Sequence, residues 1–142
     1  MRCEEIMKRD VQCADPKDPI QLAARRMRDG NVGFLPVCDS SRKVLGAITD
    51  RDITVRVVAE GRPLTTAVAD VMTREVVAAR PDEDIGRAEQ LMGDKHKSRM
   101  MCTDEQGRLL GVISLSDIAQ VEESSRASQT MKRVSERESR PQ

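Results

Sequence analysis

The chain repeats itself. Displaced by 65 residues, it matches itself without a gap, Met7 through Ile53 against Met72 through Ile118. Pro16 falls on Pro81, Ile20 on Ile85, Ala23 on Ala88, Met27 on Met92 and Asp39 on Asp104. The stretches GAITDRDI (46–53) and GVISLSDI (111–118) keep Gly, Ile, a hydroxyl residue and Asp in step. A repeat of this kind is one supersecondary unit used twice, each copy too small to bury its apolar face alone. The fold must therefore accommodate two copies of one unit.

Each copy reads as β-α-β-β-α. In the first, Asp10–Ala14 is extended and ends at Pro16. Asp18 is a candidate N-cap with Pro19 at the first helical position, and the helix runs to Asp29. Ile20, Ala23, Ala24 and Met27 form its core stripe, and Gly30 suits the position just past its end. Phe34–Cys38 and Val44–Ile48 are strands joined by the turn Asp39-Ser-Ser-Arg-Lys. A second helix starts after Thr49, runs to about Ala59 and is stopped by Gly61-Arg-Pro63. The second copy follows with Val76–Ala79 extended, Asp84–Asp94 helical, strands Met100–Thr103 and Leu109–Ile113, and a helix from Ser116 to Val121. Residues 124–142 are rich in Ser and charge, which suits a disordered tail or a solvated helix used in oligomers; the favoured reading is a helical start that frays. The expected divisions are 1–64 for the first repeat, 65–121 for the second and 122–142 for the polar tail.

Composition narrows the function. Basic and acidic residues balance at 24 each, which argues against a nucleic-acid footprint. There is no Trp or Tyr and only one Phe, Phe34, so stacking platforms for bases are lacking and the core must be aliphatic. No run approaches the roughly 18 apolar residues of a membrane span. The opening MRCEEIMKRD has no apolar signal core, so a soluble cytoplasmic protein is expected. Cys3, Cys13, Cys38, Cys102 and the lone His96 do not have metal-ligand spacing. No nucleophile–base pair, P-loop or metal cluster suggests an enzyme.

Two β-α-β-β-α units, each closing on Gly, two apolar residues, Ser or Thr, and an Asp three residues later, resemble a tandem pair of CBS domains, a Bateman module. The resemblance covers about residues 5–121. Ile6-Met7 and Val71-Met72 precede the first strands, and Leu35-Pro36-Val37 looks like the family's apolar-Pro-apolar strand. It implies an α/β (α+β) fold in which the two sheets face one another across a pseudo-twofold axis, leaving two clefts. It also implies an adenosine-containing ligand (AMP, ADP, ATP, NAD or S-adenosylmethionine), no catalytic activity, and homodimerisation. Carried over residue by residue, it puts Asp52 and Asp117 on ribose hydroxyls and Thr49 and Ser114 near phosphates. Backbone around Val11–Cys13 with Leu35 and Pro36 would hold the adenine.

Physical chemistry allows this and also a plainer reading. Gly46 lets another backbone approach its strand. The hydroxyl and carboxylate sit at a helix N-terminus, where unpaired N–H groups and the dipole favour a phosphate. The same Ser/Thr-x-x-Asp pattern is also a helix-capping device, in which Thr49 and Asp52 serve only their own backbone.

The copies differ where a site would lie. Pro36 is replaced by Met101, and Arg51 by Ser116. Arg51 is a candidate phosphate contact; it also reads as a surface helix arginine. Lys97 and Arg99 read as phosphate ligands or as a solvated rim, and His96 as a ligand contact or a turn residue. These differences favour residues 46–53 as the better site. Cys13 and Cys38 end neighbouring parallel strands, about 4.8 Å apart, where the second copy has Ala78 and Thr103. They are a candidate redox pair, with two free thiols as the default in a reducing compartment.

The function expected is a standalone regulatory sensor that binds an adenine nucleotide and signals to an unidentified protein partner through altered packing. The alternative is a structural or dimerisation module with vestigial clefts. Neither involves nucleic acid or a membrane.

Overall fold

The computed structural model describes residues 1–121 and 124–138. In chain order the elements are α1 (Cys3–Ile6), α2 (Ile20–Gly30), β1 (Phe34–Cys38), β2 (Val44–Thr49) and α3 (Asp50–Ile53), which continues as a π-helical turn, Thr54–Val58. Then come α4 (Val68–Val71), β3 (Ala78–Ala79), α5 (Ile85–Lys95), β4 (Arg99–Thr103), β5 (Leu109–Ser114), α6 (Leu115–Val121) and α7 (Ser124–Glu138). The mixed α/β class and the repeated order are those the sequence predicts. Of the two leading strands, only Ala14 and β3 form ladder contacts.

Two packed units form, each built from segments of both repeats. One comprises Val11–Val76 with Gln106–Leu109; the other comprises Met1–Asp10, Val77–Glu105 and the residues from Leu110 on. The segment ahead of each copy's leading strand, around Lys8 in one and Thr73 in the other, packs with the other copy's sheet.

In the Val11–Val76 unit, β1 and β2 pair antiparallel with a bulge between Val37 and Cys38. Ala14 bridges Val37 in parallel: its N–H donates to Pro36 O at 2.8 Å, and Cys38 N–H donates to Ala14 O at 3.0 Å. On the other side Thr73 bridges Ala47 through two 2.9 Å backbone bonds. A Cβ on Gly46 would lie 2.3 Å from Thr73 O, so only glycine admits this neighbour. The core is aliphatic, with Ile20, Leu35, Val37, Ile48, Val57 and Met72 among its members. The stripe Ile20, Ala23 and Met27 turns inward at helical spacing, as expected.

The second unit repeats this plan. β3, β4 and β5 form one sheet, with β3 and β4 parallel. Lys8 bridges Val112 as Thr73 bridges Ala47, and a Cβ on Gly111 would lie 2.7 Å from Lys8 O. Cys3, Met7, Ile85, Met92, Met100 and Ile113 are among its core residues.

Several local expectations need correction. The N-cap of α2 is Pro19, without a side-chain cap. Asp18 instead accepts from Asp15 N–H at 2.9 Å and pairs with Arg26 at 3.0 Å, closing the turn ahead of the helix. Gly30 is still helical, and Asn31 takes the left-handed position at φ 53. Asn also tolerates that conformation, because its short polar side chain bonds locally. In the second copy Asp84 does cap α5, accepting from Gly86 N–H at 2.8 Å.

The polar tail is the largest departure. Its residues 124–138 form a single helix, α7. Thr130 and Val134 are buried, and Val134 joins the core of this unit. Arg133 pairs with Asp94 at 2.5 Å and its carbonyl lies 3.0 Å from His96 Nδ1, so α7 packs along α5. Thr130 and Val134 lie one turn apart, so they fall on the same face of α7. The part of the expected fraying tail at 139–142 lies outside the described residues.

Candidate functional site

β2 delivers the chain directly into α3, so Thr49 becomes the N-cap and Asp52 the third helical residue. Thr49 Oγ1 accepts from Asp52 N–H, and Asp52 Oδ2 accepts from Thr49 N–H, both at 3.1 Å. This is a reciprocal capping box. Asp52 has further partners. Thr73 Oγ1 lies 3.2 and 3.3 Å from its two carboxylate oxygens, and Arg56 Nε stands 3.9 Å away. The residue is only 8% exposed.

The remaining N–H groups at this helix start are also occupied. Asp50 N–H donates to Gly33 O at 3.0 Å, and Arg51 N–H to Asp50 Oδ1 at 2.9 Å. The unpaired donors expected for a phosphate at α3 are therefore already satisfied within the unit. Arg51 itself is exposed on α3.

The second copy keeps the cap without the reciprocity. Ser114 Oγ accepts from Asp117 N–H at 3.1 Å and lies 3.0 Å from Ser116 Oγ. Leu115 N–H donates to Ser98 O at 2.8 Å. The Asp117 carboxylate differs from that of Asp52: its Oδ2 is buried and has no hydrogen-bond partner among the described residues. A buried carboxylate oxygen without a donor is unfavourable unless a ligand or water supplies one. Met101 is buried on β4, and Arg99 is exposed at the start of that strand. His96 is the left-handed residue that ends α5, at φ 55.

The expected adenine-holding backbone is brought together in the first unit. The parallel bridge sets Cys13 beside Pro36, and the β1–β2 register sets Phe34 opposite Thr49. Leu35 and Pro36 are buried, while Val11 and Cys13 are half-buried. Two backbone acceptors there are committed: Pro36 O to Ala14 N–H, and Cys13 O to Arg26 Nη1 at 2.7 Å.

The cysteines fall into two kinds. Cys3 and Cys102 are completely buried, and burial pushes their thiols up to about 12 and about 11 respectively. Cys38 Sγ donates to Cys13 Sγ across 3.6 Å. That hydrogen bond, aided by the charges of Arg42 and Arg26, brings Cys13 down to about 7 against the opposing effect of burial. Cys38, as donor and buried, is pushed up.

Sequence reasoning missed Thr73 and Arg56. Arg56 Nη1 holds the carbonyls of Val71 and Met72 at 3.2 and 3.1 Å, fixing the segment that presents Thr73 to Asp52. The only signal was positional: Thr73 follows the apolar-Met pair, but its hydroxyl has no counterpart in Lys8.

The sequence profile of the CBS domain matches residues 3–59 and 68–124. The chain belongs to the CBS-domain family. Among curated CBS relatives, it is 36% identical over 116 residues to the CBS domain-containing protein YhcV of Bacillus subtilis, covering 82% of this chain and 81% of that one. Uncharacterized protein MK0525 of Methanopyrus kandleri is 31% identical over 119 residues, 83% of this chain but 61% of that protein. A match to inosine-5'-monophosphate dehydrogenase of Methanocaldococcus jannaschii, 33% identical over 82% of this chain, spans 23% of that enzyme. The structural likeness agrees. The CBS domain pair of protein MJ0100, solved with 5'-methylthioadenosine and S-adenosyl-L-methionine, superposes with a TM-score of 0.77 at 25% identity, over 85% of this chain and 94% of that one. Hypoxic Response Protein I, whose crystal structure has two coordinated zinc ions, gives 0.79 at 25% identity over 87% and 100%. In this CBS pair, no group of three His, Cys, Asp or Glu among the described residues could hold a metal ion. No helix among them is long and apolar enough to cross a membrane.

Proposed function

We propose that this CBS pair is a regulatory module that binds an adenosine-containing ligand and signals through altered packing or partner binding. The observation that carries the reading is the buried Oδ2 of Asp117, which has no hydrogen-bond partner among the described residues. A ribose offers two neighbouring hydroxyl donors, and a carboxylate accepts both. Ser114 stands one helical turn away as the candidate neighbour of the phosphate or other polar end of the ligand. The related pair of MJ0100, solved with two adenosine-containing ligands, supports this ligand class. In the first copy Thr49, Arg51 and Asp52, with the Val11–Cys13 and Leu35–Pro36 backbone, remain the candidate contacts. There Asp52 already accepts from Thr49 N–H and the Thr73 hydroxyl, so a ligand competes with donors that Asp117 lacks, and the first copy is the weaker of the two.

A second reading has its own support. The complete satisfaction of Asp52 and of the α3 start suits a structural or dimerisation module whose motif serves only to cap a helix.

A thermal-shift screen with AMP, ADP, ATP, NAD and S-adenosylmethionine separates these readings. A ligand that binds only the native state at 100 times its Kd adds about 2.7 kcal/mol of stability. At least one adenosine compound is expected to raise Tm, and Asp117→Ala to abolish that rise. No shift with any compound at millimolar concentration refutes ligand binding, and a shift unchanged in Asp117→Ala refutes the assignment.

A further inference from the structure

We propose that Cys13 and Cys38 form a reversible dithiol–disulfide site, oxidised by low-molecular-weight disulfides of the glutathione class. The inference is independent of nucleotide binding. Two sulfurs 3.6 Å apart on one sheet are placed by the backbone, since the Ala14–Val37 bridge and the Cys38-to-Ala14 hydrogen bond fix the two segments in register. Alternation puts Cys13, Pro36 and Cys38 on one face of the sheet while Ala14 and Val37 turn into the core. The register shift at Val37/Cys38 leaves Leu45 of β2 unopposed, so the ladder is locally disrupted beside the second sulfur. A disulfide needs the sulfurs at about 2.05 Å, so closure requires a movement of about 1.5 Å, within reach of side-chain rotation.

The two thiols have different chemistry. Cys13 is half-buried and ionises near neutrality, the pattern of an attacking thiol. Cys38 is buried and keeps its proton, as suits a resolving thiol. Cys3 and Cys102, fully buried with raised pKa values, are poor competitors. The second copy has Ala78 and Thr103 at the matching positions, so the shared fold does not require this pair.

The reaction runs in two displacements. The Cys13 thiolate attacks one sulfur of RS–SR; that bond breaks, and RS⁻ leaves and takes up a proton. Cys38 then loses its proton to solvent and attacks the Cys13 sulfur of the mixed disulfide. The protein disulfide forms as the second RS⁻ leaves and is protonated. Two protein thiols are oxidised and one RSSR is reduced to two RSH. A dithiol reductant reverses both steps.

The test equilibrates the reduced full chain with graded ratios of reduced to oxidised glutathione, quenches in acid, alkylates under denaturing conditions and reads masses. The expected product has lost two of its four titratable thiols, and its linked peptides contain Cys13 and Cys38, with Cys3 and Cys102 alkylated. Cys38→Ala is expected to stop at one glutathione adduct on Cys13. Alkylation of native Cys13 should reach half its limiting rate near pH 7, about 2 units below Cys13 in the denatured chain. Four free thiols at every ratio, a disulfide involving Cys3 or Cys102, or no adduct in Cys38→Ala would overturn the proposal. The wild-type mass measurement stands whether or not any variant folds.

Discussion

Replacing Asp52 by Ala tests whether the repeated Asp is a structural residue in one copy and not in the other. In the first copy the substitution removes the acceptor of Thr49 N–H and of the Thr73 hydroxyl, in surroundings where Asp52 is only 8% exposed. Hydrogen bonds to a charged group contribute about 1.5–3 kcal/mol, and a neutral donor stranded in a buried place costs about 1–3 kcal/mol. The Arg56 contact, at 3.9 Å and with a half-exposed guanidinium, adds little. The Asp52 N–H to Thr49 Oγ1 bond survives in the variant. Allowing for overlap between these effects, the loss should be about 2–4 kcal/mol, or roughly 10 °C in Tm for a chain of this size. Asp117→Ala removes an oxygen with no partner among the described residues, so it should cost at most about 1 kcal/mol. Urea unfolding of the ligand-free variants, compared with wild type at constant m-value, reads both numbers. An Asp52→Ala unfolding free energy within about 0.5 kcal/mol of wild type, or an Asp117→Ala loss as large as that of Asp52→Ala, refutes the asymmetry. The result also bears on ligand screening: binding to Asp52→Ala must be judged by the ligand-induced change and not by its lowered baseline.

Two other outcomes follow from the packing. Gly46→Ala places a Cβ 2.3 Å from the Thr73 carbonyl oxygen, a backbone atom that cannot swing aside, so the Ala47–Thr73 pair should open. Hydrogen exchange at Ala47 and Thr73 should then rise by orders of magnitude, and protection equal to wild type would contradict the close approach. Stability should also fall as pH rises from about 9 towards about 11. The unfolded thiols of Cys3 and Cys102 ionise near 9.0 and the folded ones only at about 12 and about 11, so above pH 9 the unfolded chain holds fewer protons. The combined Cys3→Ala, Cys102→Ala variant should make this alkaline limb shallower, leaving the part due to Cys38, whose thiol is also pushed up; an unchanged slope would show that Cys3 and Cys102 do not contribute to it.

Much of the fold was legible in the repeat. The 65-residue offset identified two copies of one unit, and in-step apolar residues such as Ile20 with Ile85 and Met27 with Met92 became core positions. Ser/Thr-x-x-Asp announced the caps at Thr49 and Ser114, because capping depends on neighbours three residues apart. Helix α7 was hidden: only Thr130 and Val134 are buried among its residues with described side chains, too few to stand out in a polar segment. The facing of Cys13 and Cys38 was legible as an adjacency of strand ends, while the difference in their proton affinities needed the hydrogen bond between them and the nearby arginines.

The sequence by itself determined most of the local units: the paired strands and the amphipathic helices of each copy, their apolar faces, and the caps at Thr49 and Ser114. Only the tertiary structure decided what each unit packs against. Met7-Lys8 could have paired with the strand of its own copy, as could Met72-Thr73, since the two copies present matching Gly46 and Gly111 openings. In the structure Lys8 meets Val112 and Thr73 meets Ala47. A short extended segment carries no periodicity that names its partner; the choice depends on contacts distant in sequence. The same choice differentiates the two aspartates. Thr73, brought beside Asp52, gives that carboxylate a hydroxyl donor, whereas Lys8 occupies the corresponding position in the other sheet and Asp117 keeps an oxygen with no partner among the described residues.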